Sequence, residues 1–173
     1  MPHTGIVFKK LGQDLKNQTN MQNKEGNIEI LNDLVKINND RIAGYERAIS
    51  EAKDLDVDLK ATFESMINES RGYKSELEAE VVKDGGEIED DTTISGKIYR
   101  AWMDVKATFT GSDRKSILES CEFGEDAAQR AYEGALADDS SLDADSRTLV
   151  QEQQRTLKAS HDLIKKYRDA HSK

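Results

Sequence analysis

Residues 122–136 read EFGEDAAQRAYEGAL, and residues 37–49, shifted by 87 positions, read INNDRIAGYERAI. This register aligns Tyr45 with Tyr132 and the glutamate that follows each of them. One type of helical segment thus recurs in each half of the chain. Such a repeat predicts two helical hairpins that pack together in one bundle.

The same register aligns Asn38 with Glu125. Metal sites in helical bundles collect carboxylates from facing helices. An amide side chain at one of two equivalent positions removes a negative charge and a ligand. The repeat therefore predicts the fold more firmly than it predicts a metal site.

Composition favours amphipathic helices, because 36% of the residues are hydrophobic and 34% are charged. The net charge of −9 opposes binding to nucleic acid or to an anionic membrane surface. No apolar run approaches the roughly 20 residues of a membrane span. Cys121 is the only cysteine, which excludes an intramolecular disulfide and favours a reducing compartment. We therefore expect a cytoplasmic protein.

Hydrophobic residues recur at three- and four-residue spacing in four long segments. These predict helices at about 27–54, 57–84, 113–136 and 143–170. The long crossover between the second and third contains a fifth, short helix at about 96–109. A long crossover makes the helices on either side of it run parallel. The expected fold is all-α, an up-down four-helix bundle with one short extra helix.

The first 26 residues are polar, and three glycines interrupt them. We predict a flexible N-terminal extension over 1–26, with room for one short helix near 6–15, before a single domain over 27–171. Met21 precedes the predicted domain closely. One hypothesis is therefore that residues 1–20 are an upstream extension.

Several short motifs resemble one known family. They are LNDL at 31–34 with GYE at 44–46, RAWMDVK at 100–106, CEFGEDAA at 121–128 with AYE at 131–133, and HD at 161–162 with RD at 168–169. Together they resemble a bacterial four-helix-bundle family placed among the ferritin-like folds, domain of unknown function 2383. The resemblance covers about residues 27–170 and implies a ferritin-like fold without implying an activity.

A ferritin-like di-iron site needs a Glu-x-x-His pair on each of two helices and a glutamate on each of the others. This sequence contains no Glu-x-x-His pair. His3 and His171 are terminal, so His161 is the only histidine inside the predicted bundle. Lys158 precedes it by three residues and would repel a cation. The ligand set is too small for a conventional di-iron site.

Two interpretations of the inward polar residues remain open. Glu122, Glu125 and His161, with Cys121 nearby, form the candidate ligand set for one Fe, Mn or Zn ion. The other interpretation is a buried hydrogen-bond network around Glu125. Its predicted members are Asn38, Tyr45, Ser70, Arg71, Glu125, Tyr132 and His161. We favour the network and therefore predict no cofactor.

No nucleotide-binding loop, zinc ribbon or nucleophile signature is present in the sequence. We assign no catalytic residue and expect a noncatalytic bacterial bundle protein with a structural or interaction role. A homo-oligomer, favoured as a dimer, is the expected state. The alternative is a divergent metal-binding oxidase or metal-storage protein that uses Glu122, Glu125 and His161.

Overall fold

The computed structural model describes residues 3–52, 56–89, 96–105, 113–137 and 139–171. Over these residues the chain forms helices and no strand, which confirms the predicted all-α class. The helices are α1 (His3–Glu51), α2 (Val57–Lys83), α3 (Lys97–Val105), α4 (Arg114–Ala135) and α5 (Ala144–His171). Residues 53–54 and 106–109, at the ends of two predicted helices, lie outside the described residues.

The start of α1 differs from the predicted one. We placed it near Asn27, after an extension over 1–26, but α1 begins at His3 and continues through Asn27 to Glu51. The asparagine, glutamine and lysine residues of this segment all tolerate helical geometry, and each mid-helix glycine costs only about 1 kcal/mol. The only proline of the chain is at position 2. No residue within α1 therefore breaks the backbone hydrogen-bond ladder.

Hydrogen bonds fix the direction of α1 relative to α2. Asn27 donates to Asp84, which follows the last residue of α2. Further along α1, Arg41 donates to Ser70, which lies in the middle of α2. Positions that rise along α1 therefore meet positions that fall along α2, and the two helices are antiparallel.

Hydrogen bonds also fix the direction of α4. Asn38 Nδ2 lies 3.1 Å from Tyr132 Oη, whereas Tyr45 donates to Glu125, which lies earlier in α4. Helix α4 is therefore antiparallel to α1 and parallel to α2. This is the arrangement that the long connection between α2 and α4 predicts.

The last helix completes a ring of contacts. Tyr132 of α4 donates to Gln153 of α5 over 2.7 Å, and Glu122 meets Arg168 at 2.7 Å. Helix α5 is therefore antiparallel to α4. The four long helices contact one another in the cyclic order α1, α2, α5, α4, and α3 packs against α1 and α4.

Two apolar clusters fill the interior at different heights. One lies near the end where α3 packs, and its members include Leu31, Leu34, Leu77, Tyr99, Trp102, Tyr132 and Val150. The other lies towards the opposite end, and its members include Tyr45, Phe63, Ile117, Leu118, Cys121 and Ile164. Buried polar side chains lie between the two clusters.

Carboxylates of α1 hold α3 in place. Asp33 Oδ2 accepts a hydrogen bond from the backbone N–H of Tyr99 at 3.0 Å. Asp40 Oδ2 accepts from the Tyr99 hydroxyl and from Trp102 Nε1, each at 3.0 Å. A Cβ at Gly96 would lie 1.9 Å from Asp33 Oδ2, so only glycine permits this close approach.

Candidate functional site: a buried ion-pair layer

Arg41 lies at the centre of the polar layer between the two apolar clusters. Its side chain is 4% exposed, and Nε lies 2.9 Å from Glu125 Oε1. Nη2 lies 3.0 Å from Glu69 Oε1, and Nη1 donates to Ser70 Oγ over 2.8 Å. One guanidinium group therefore joins α1 to both α2 and α4.

Glu125 receives a second hydrogen bond from the Tyr45 hydroxyl, which donates to the same oxygen, Oε1. Burial, with the nearby charge of Glu125, raises the pKa of Tyr45 well above its ordinary value. The phenol therefore stays protonated and remains a donor. The other oxygen, Glu125 Oε2, is buried without a hydrogen-bond partner among the described residues.

The charge of Arg41 is fixed by its surroundings. Burial alone would lower the pKa of Arg41, but the carboxylates of Glu125 and Glu69 outweigh burial and raise it. A guanidinium group is protonated across the physiological range in any case. Arg41 is therefore a permanent internal cation.

A neutral chain of hydrogen bonds continues the layer towards α5. Asn38 Nδ2 donates to Tyr132 Oη over 3.1 Å, and Tyr132 donates to Gln153 Oε1 over 2.7 Å. Gln153 Nε2 donates to the backbone carbonyl of Tyr73 over 3.2 Å. Burial raises the pKa of Tyr132 above its ordinary value, so this hydroxyl also stays protonated.

At its edge the layer reaches the groove between α2 and α5. Ser160 Oγ lies 2.9 Å from both carboxylate oxygens of Glu69, whose side chain is 23% exposed. The hydroxyls of Tyr73 and Thr156 form a hydrogen bond beside it. Glu69 thus connects the buried guanidinium of Arg41 with the surface.

The structure does not bring the three candidate metal ligands together. Glu122 Oε2 pairs with Arg168 Nη1 at 2.7 Å, which joins α4 to α5. His161 Nε2 lies 2.5 Å from Asp126 Oδ1, whereas Glu125 is engaged by Arg41 inside the bundle. Across the described ranges no group of three or more His, Cys, Asp or Glu side chains could hold a metal ion.

Cys121, the fourth residue considered for a metal, is buried in the apolar cluster that contains Phe63 and Ile164. Burial raises the pKa of its thiol to about 12, with a further contribution from Glu125. Because the thiolate is the form that binds metal or attacks an electrophile, this cysteine is chemically quiet at neutral pH.

Five of the seven predicted network residues lie in the layer: Asn38, Tyr45, Ser70, Glu125 and Tyr132. The remaining two lie elsewhere. The side chain of Arg71 is 62% exposed and lies 3.9 Å from Glu46 on the outer surface. His161 faces Asp126 across the rim of α4 and α5, because its position on α5 is one residue beyond the inward Ser160.

The predicted network omitted Arg41, the residue whose side chain joins three helices in the layer. In α1, Arg41 is buried, whereas the hydrophobic Ile42 beside it is only half-buried. A signal for Arg41 was present in the spacing. It lies three residues after Asn38 and four before Tyr45, and therefore on the same helical face as both.

The fold and this layer define an all-helical protein with a permanent ion pair at its centre. Residues 27–138 match the family described as "Domain of unknown function (DUF2383)", and the chain belongs to that family. This confirms the family predicted from the motifs. A comparison with curated proteins gives no match. None of the described helices has the length and apolar character needed to cross a membrane.

Proposed function

We propose that this protein is a noncatalytic ferritin-like four-helix bundle with a structural or interaction role, in which Arg41 replaces the metal ions of an active bundle. Antiparallel neighbours, a parallel α2–α4 pair and a long connection between them support the ferritin-like assignment. The short helix α3 lies within that connection.

The contact of Arg41 with two carboxylates carries this proposal. Glu125 and Glu69 come from two different helices, as the carboxylate ligands of a bundle metal site would. Their common partner is a guanidinium group. Two positive charges about 4 Å apart repel each other by roughly 4 kcal/mol at an effective dielectric constant of 20. A metal ion beside Arg41 would therefore bind poorly.

The acid–base properties of the layer also favour a noncatalytic role. General acids and bases work best when their pKa lies near the operating pH. Burial instead raises the pKa values of Tyr45 and Tyr132 in the layer, further away from neutrality. The layer therefore holds protons in fixed positions, which suits stabilisation and helix pairing rather than proton transfer.

One observation favours the alternative, a divergent metal-binding oxidase or metal-storage protein. Glu125 Oε2 is buried and has no hydrogen-bond partner within the described part of the chain. A carboxylate oxygen of this kind is a competent ligand for Fe, Mn or Zn. The two proposals differ in the metal content that they require.

Metal analysis of protein purified without chelators tests this proposal. We expect substoichiometric Fe, Mn and Zn in the wild type and in the Glu125→Ala variant. The Glu64→Ala variant is the matched control, because Glu64 lies on the exposed face of α2 and belongs to neither candidate set. A stoichiometric metal in the wild type that is lost in both Glu125→Ala and His161→Ala would overturn the proposal and establish the alternative.

Cellular location and assembly belong to the same proposal. The buried free thiol of Cys121 is compatible with a reducing compartment, which supports the bacterial cytoplasm. A structural or interaction role requires a partner. The partner that we favour is a second copy of the chain, in a homodimer.

A further inference from the structure

The first part of α1 projects beyond the bundle. Burial in α1 is described from residue 7 onward: residues 7–25 are all exposed, and Asn27 is the first buried residue after them. At 1.5 Å per residue the segment from 3 to 26 is about 36 Å long. We call residues 3–26 the N-terminal arm. An isolated helix of this length is marginally stable in water, so a contact along the arm would stabilise it.

One face of the arm carries large apolar side chains. Val7, Phe8, Leu11 and Leu15 are 61%, 69%, 57% and 58% exposed. Their spacing places them within an arc of about 100° on the helix surface. We call these four residues the apolar stripe. Single exposed apolar residues are ordinary on a protein surface, but four on one helical face mark an interaction surface.

The opposite face of the arm is polar and is directed towards the bundle. Asn20 and Lys24 line a cavity of about 430 Å³ together with Asp84 and Ser141 at the end of the bundle. Lys16 lies on this same face of the arm, since it is four residues before Asn20. The apolar stripe therefore faces away from the bundle, and no described part of the same chain covers it.

We propose that the apolar stripe is a homodimer interface, in which the arms of two copies pair in antiparallel orientation about Leu11. The proposal deepens the proposed interaction role and rests on it. With Leu11 at the two-fold axis, Leu11 meets its own copy. Phe8 of each copy then lies level with Asp14 of the other copy, and Leu15 lies level with Val7 of the other copy. Each stripe thus covers its equivalent, as an isologous interface requires.

Charge supports the antiparallel direction. Asp14 lies at the margin of the stripe, and Lys10 lies one turn before it on the same side. In the antiparallel pair, Asp14 of one copy comes to within about one turn of Lys10 of its partner, and this contact occurs twice. A parallel pair would instead place Asp14 level with Asp14 and Lys10 level with Lys10, and would form no such ion pair.

Charge also favours a second copy over a membrane. The arm has four lysines, Lys9, Lys10, Lys16 and Lys24, but the whole chain has a net charge of −9. The bundle is thus strongly acidic, and an anionic lipid surface would repel it. With Leu11 on the axis, each bundle begins 16 residues, or about 24 Å, from the axis, so the two bundles lie about 48 Å apart, where screening is nearly complete.

The interface is small. Paired arms that overlap along residues 3–19 make contact over about 25 Å. An interface of this length falls in the class below about 1,200 Å² of total buried area, which is typical of weak and transient complexes. We therefore expect a reversible dimer with a dissociation constant in the range of about 1 to 100 µM.

Sedimentation velocity of the full chain over a concentration series tests the interface. We expect Leu11→Lys to weaken dimerisation about a hundredfold, because the loss of apolar burial occurs twice in each dimer. Phe123→Lys is the matched control, since Phe123 is 46% exposed on α4 and should leave the dimer unchanged. All these side chains are exposed, so the fold, checked by circular dichroism, should be unaffected.

Charge reversal tests the orientation. Asp14→Lys should weaken the dimer, and Lys10→Asp in the same chain should restore it. If the dimer persisted in Leu11→Lys but dissociated in Phe123→Lys, the chain would still self-associate, but not through the arm. That result would overturn the arm interface. A wild type that is monomeric throughout and binds anionic vesicles through the stripe would overturn the dimer. Neither result would change the metal content that tests the noncatalytic bundle.

Discussion

Two buried carboxylates, Glu125 on α4 and Asp33 on α1, differ in how their charge is compensated. Glu125 in the polar layer contacts a guanidinium nitrogen of Arg41 at 2.9 Å. Asp33, at the contact with α3, is fully buried and accepts the backbone N–H of Tyr99 at 3.0 Å. The ammonium of Lys36 is nearby, but it lies over the Tyr99 ring and 3.7 Å from Glu89.

The consequence is visible at Asp33. Burial raises its pKa from 3.8 to about 6, although the Tyr99 N–H and Lys36 act to lower it. The hydrogen bond from the Tyr99 backbone therefore does not offset the cost of burying the charge of Asp33. Glu125, in contrast, directly contacts the cation of Arg41. Glu125 is thus part of a buried ion pair, whereas Asp33 lacks such a contact among the described residues and has a raised pKa.

The largest effect is expected at the ion pair. Replacing Arg41 by Met leaves the buried Glu125, and the partly exposed Glu69 near it, without a cation. Removal of one partner of a buried ion pair typically costs about 3 to 5 kcal/mol. We expect the free energy of unfolding, measured by urea denaturation and circular dichroism, to fall by that amount in Arg41→Met.

A double variant distinguishes loss of the pair from loss of packing. Arg41→Met combined with Glu125→Leu removes both charges and should recover a large part of the stability lost in either single variant. Recovery should be incomplete, because Tyr45 then loses the acceptor of its hydroxyl. A single Arg41→Met variant that loses less than about 1 kcal/mol would show that the layer contributes little to folding.

The second effect is a pH dependence at Asp33. A carboxyl whose pKa is higher in the folded state stabilises the fold below its unfolded pKa, and this contribution is lost as the pH rises through the folded value. The pKa of about 6 against 3.8 therefore predicts a loss between about pH 4 and pH 6. Its upper limit is about 3 kcal/mol, at 1.36 kcal/mol per unit.

Asp33→Asn should abolish this part of the pH dependence. The amide oxygen can still accept the Tyr99 N–H, so α3 should stay in place, with Trp102 fluorescence as the readout. We expect the wild type to match the variant near pH 4 and to be less stable than it near pH 7.5. Glu64→Gln on the exposed face of α2 is the control. A wild type that gains stability over the variant as the pH rises would contradict this assignment.

The sequence predicts the helices better than it predicts the polar layer, and the reason is physical. Helical periodicity depends on neighbouring residues, so the spacing around Tyr45 and Tyr132 identifies two helices and their inward faces. The partner of Glu125 depends on how four helices rotate against one another. Periodicity does not determine that rotation to within one residue, and the predicted network therefore omits Arg41.

In the N-terminal arm the sequence prediction was wrong about the secondary structure. Three glycines and a polar composition predicted flexibility over 1–26, whereas α1 is helical from His3. A polar composition indicates that a segment buries few apolar side chains. Residues 7–25 of the arm are indeed exposed and form no core with the described part of their own chain. The spacing of Val7, Leu11 and Leu15 was nevertheless helical, and it was available in the sequence.

The smallest effect is expected at the rim, where His161 meets Asp126 and Asp162. Burial acts to lower the pKa of His161, but hydrogen bonds to Asp162 and Asp126 outweigh it and raise the pKa above 6.5. A raised histidine pKa stabilises the fold fully below the unfolded value and loses this contribution as the pH rises through the folded value. Because about half of each aspartate is exposed, we expect only about 0.5 kcal/mol.

Urea denaturation of the wild type and of His161→Gln between pH 5 and pH 9 measures this effect. We expect the wild type to have the higher free energy of unfolding near pH 5, and the two proteins to be equal near pH 9. Asp126→Asn should remove part of it, and about 0.5 M salt should reduce it further, since exposed charges are screened. Salt should leave the Arg41→Met effect largely intact, because that pair is buried. If salt reduced both effects equally, the Arg41–Glu125 pair would be accessible to solvent. The centre of the bundle and the rim at His161 would then not differ in their screening by salt.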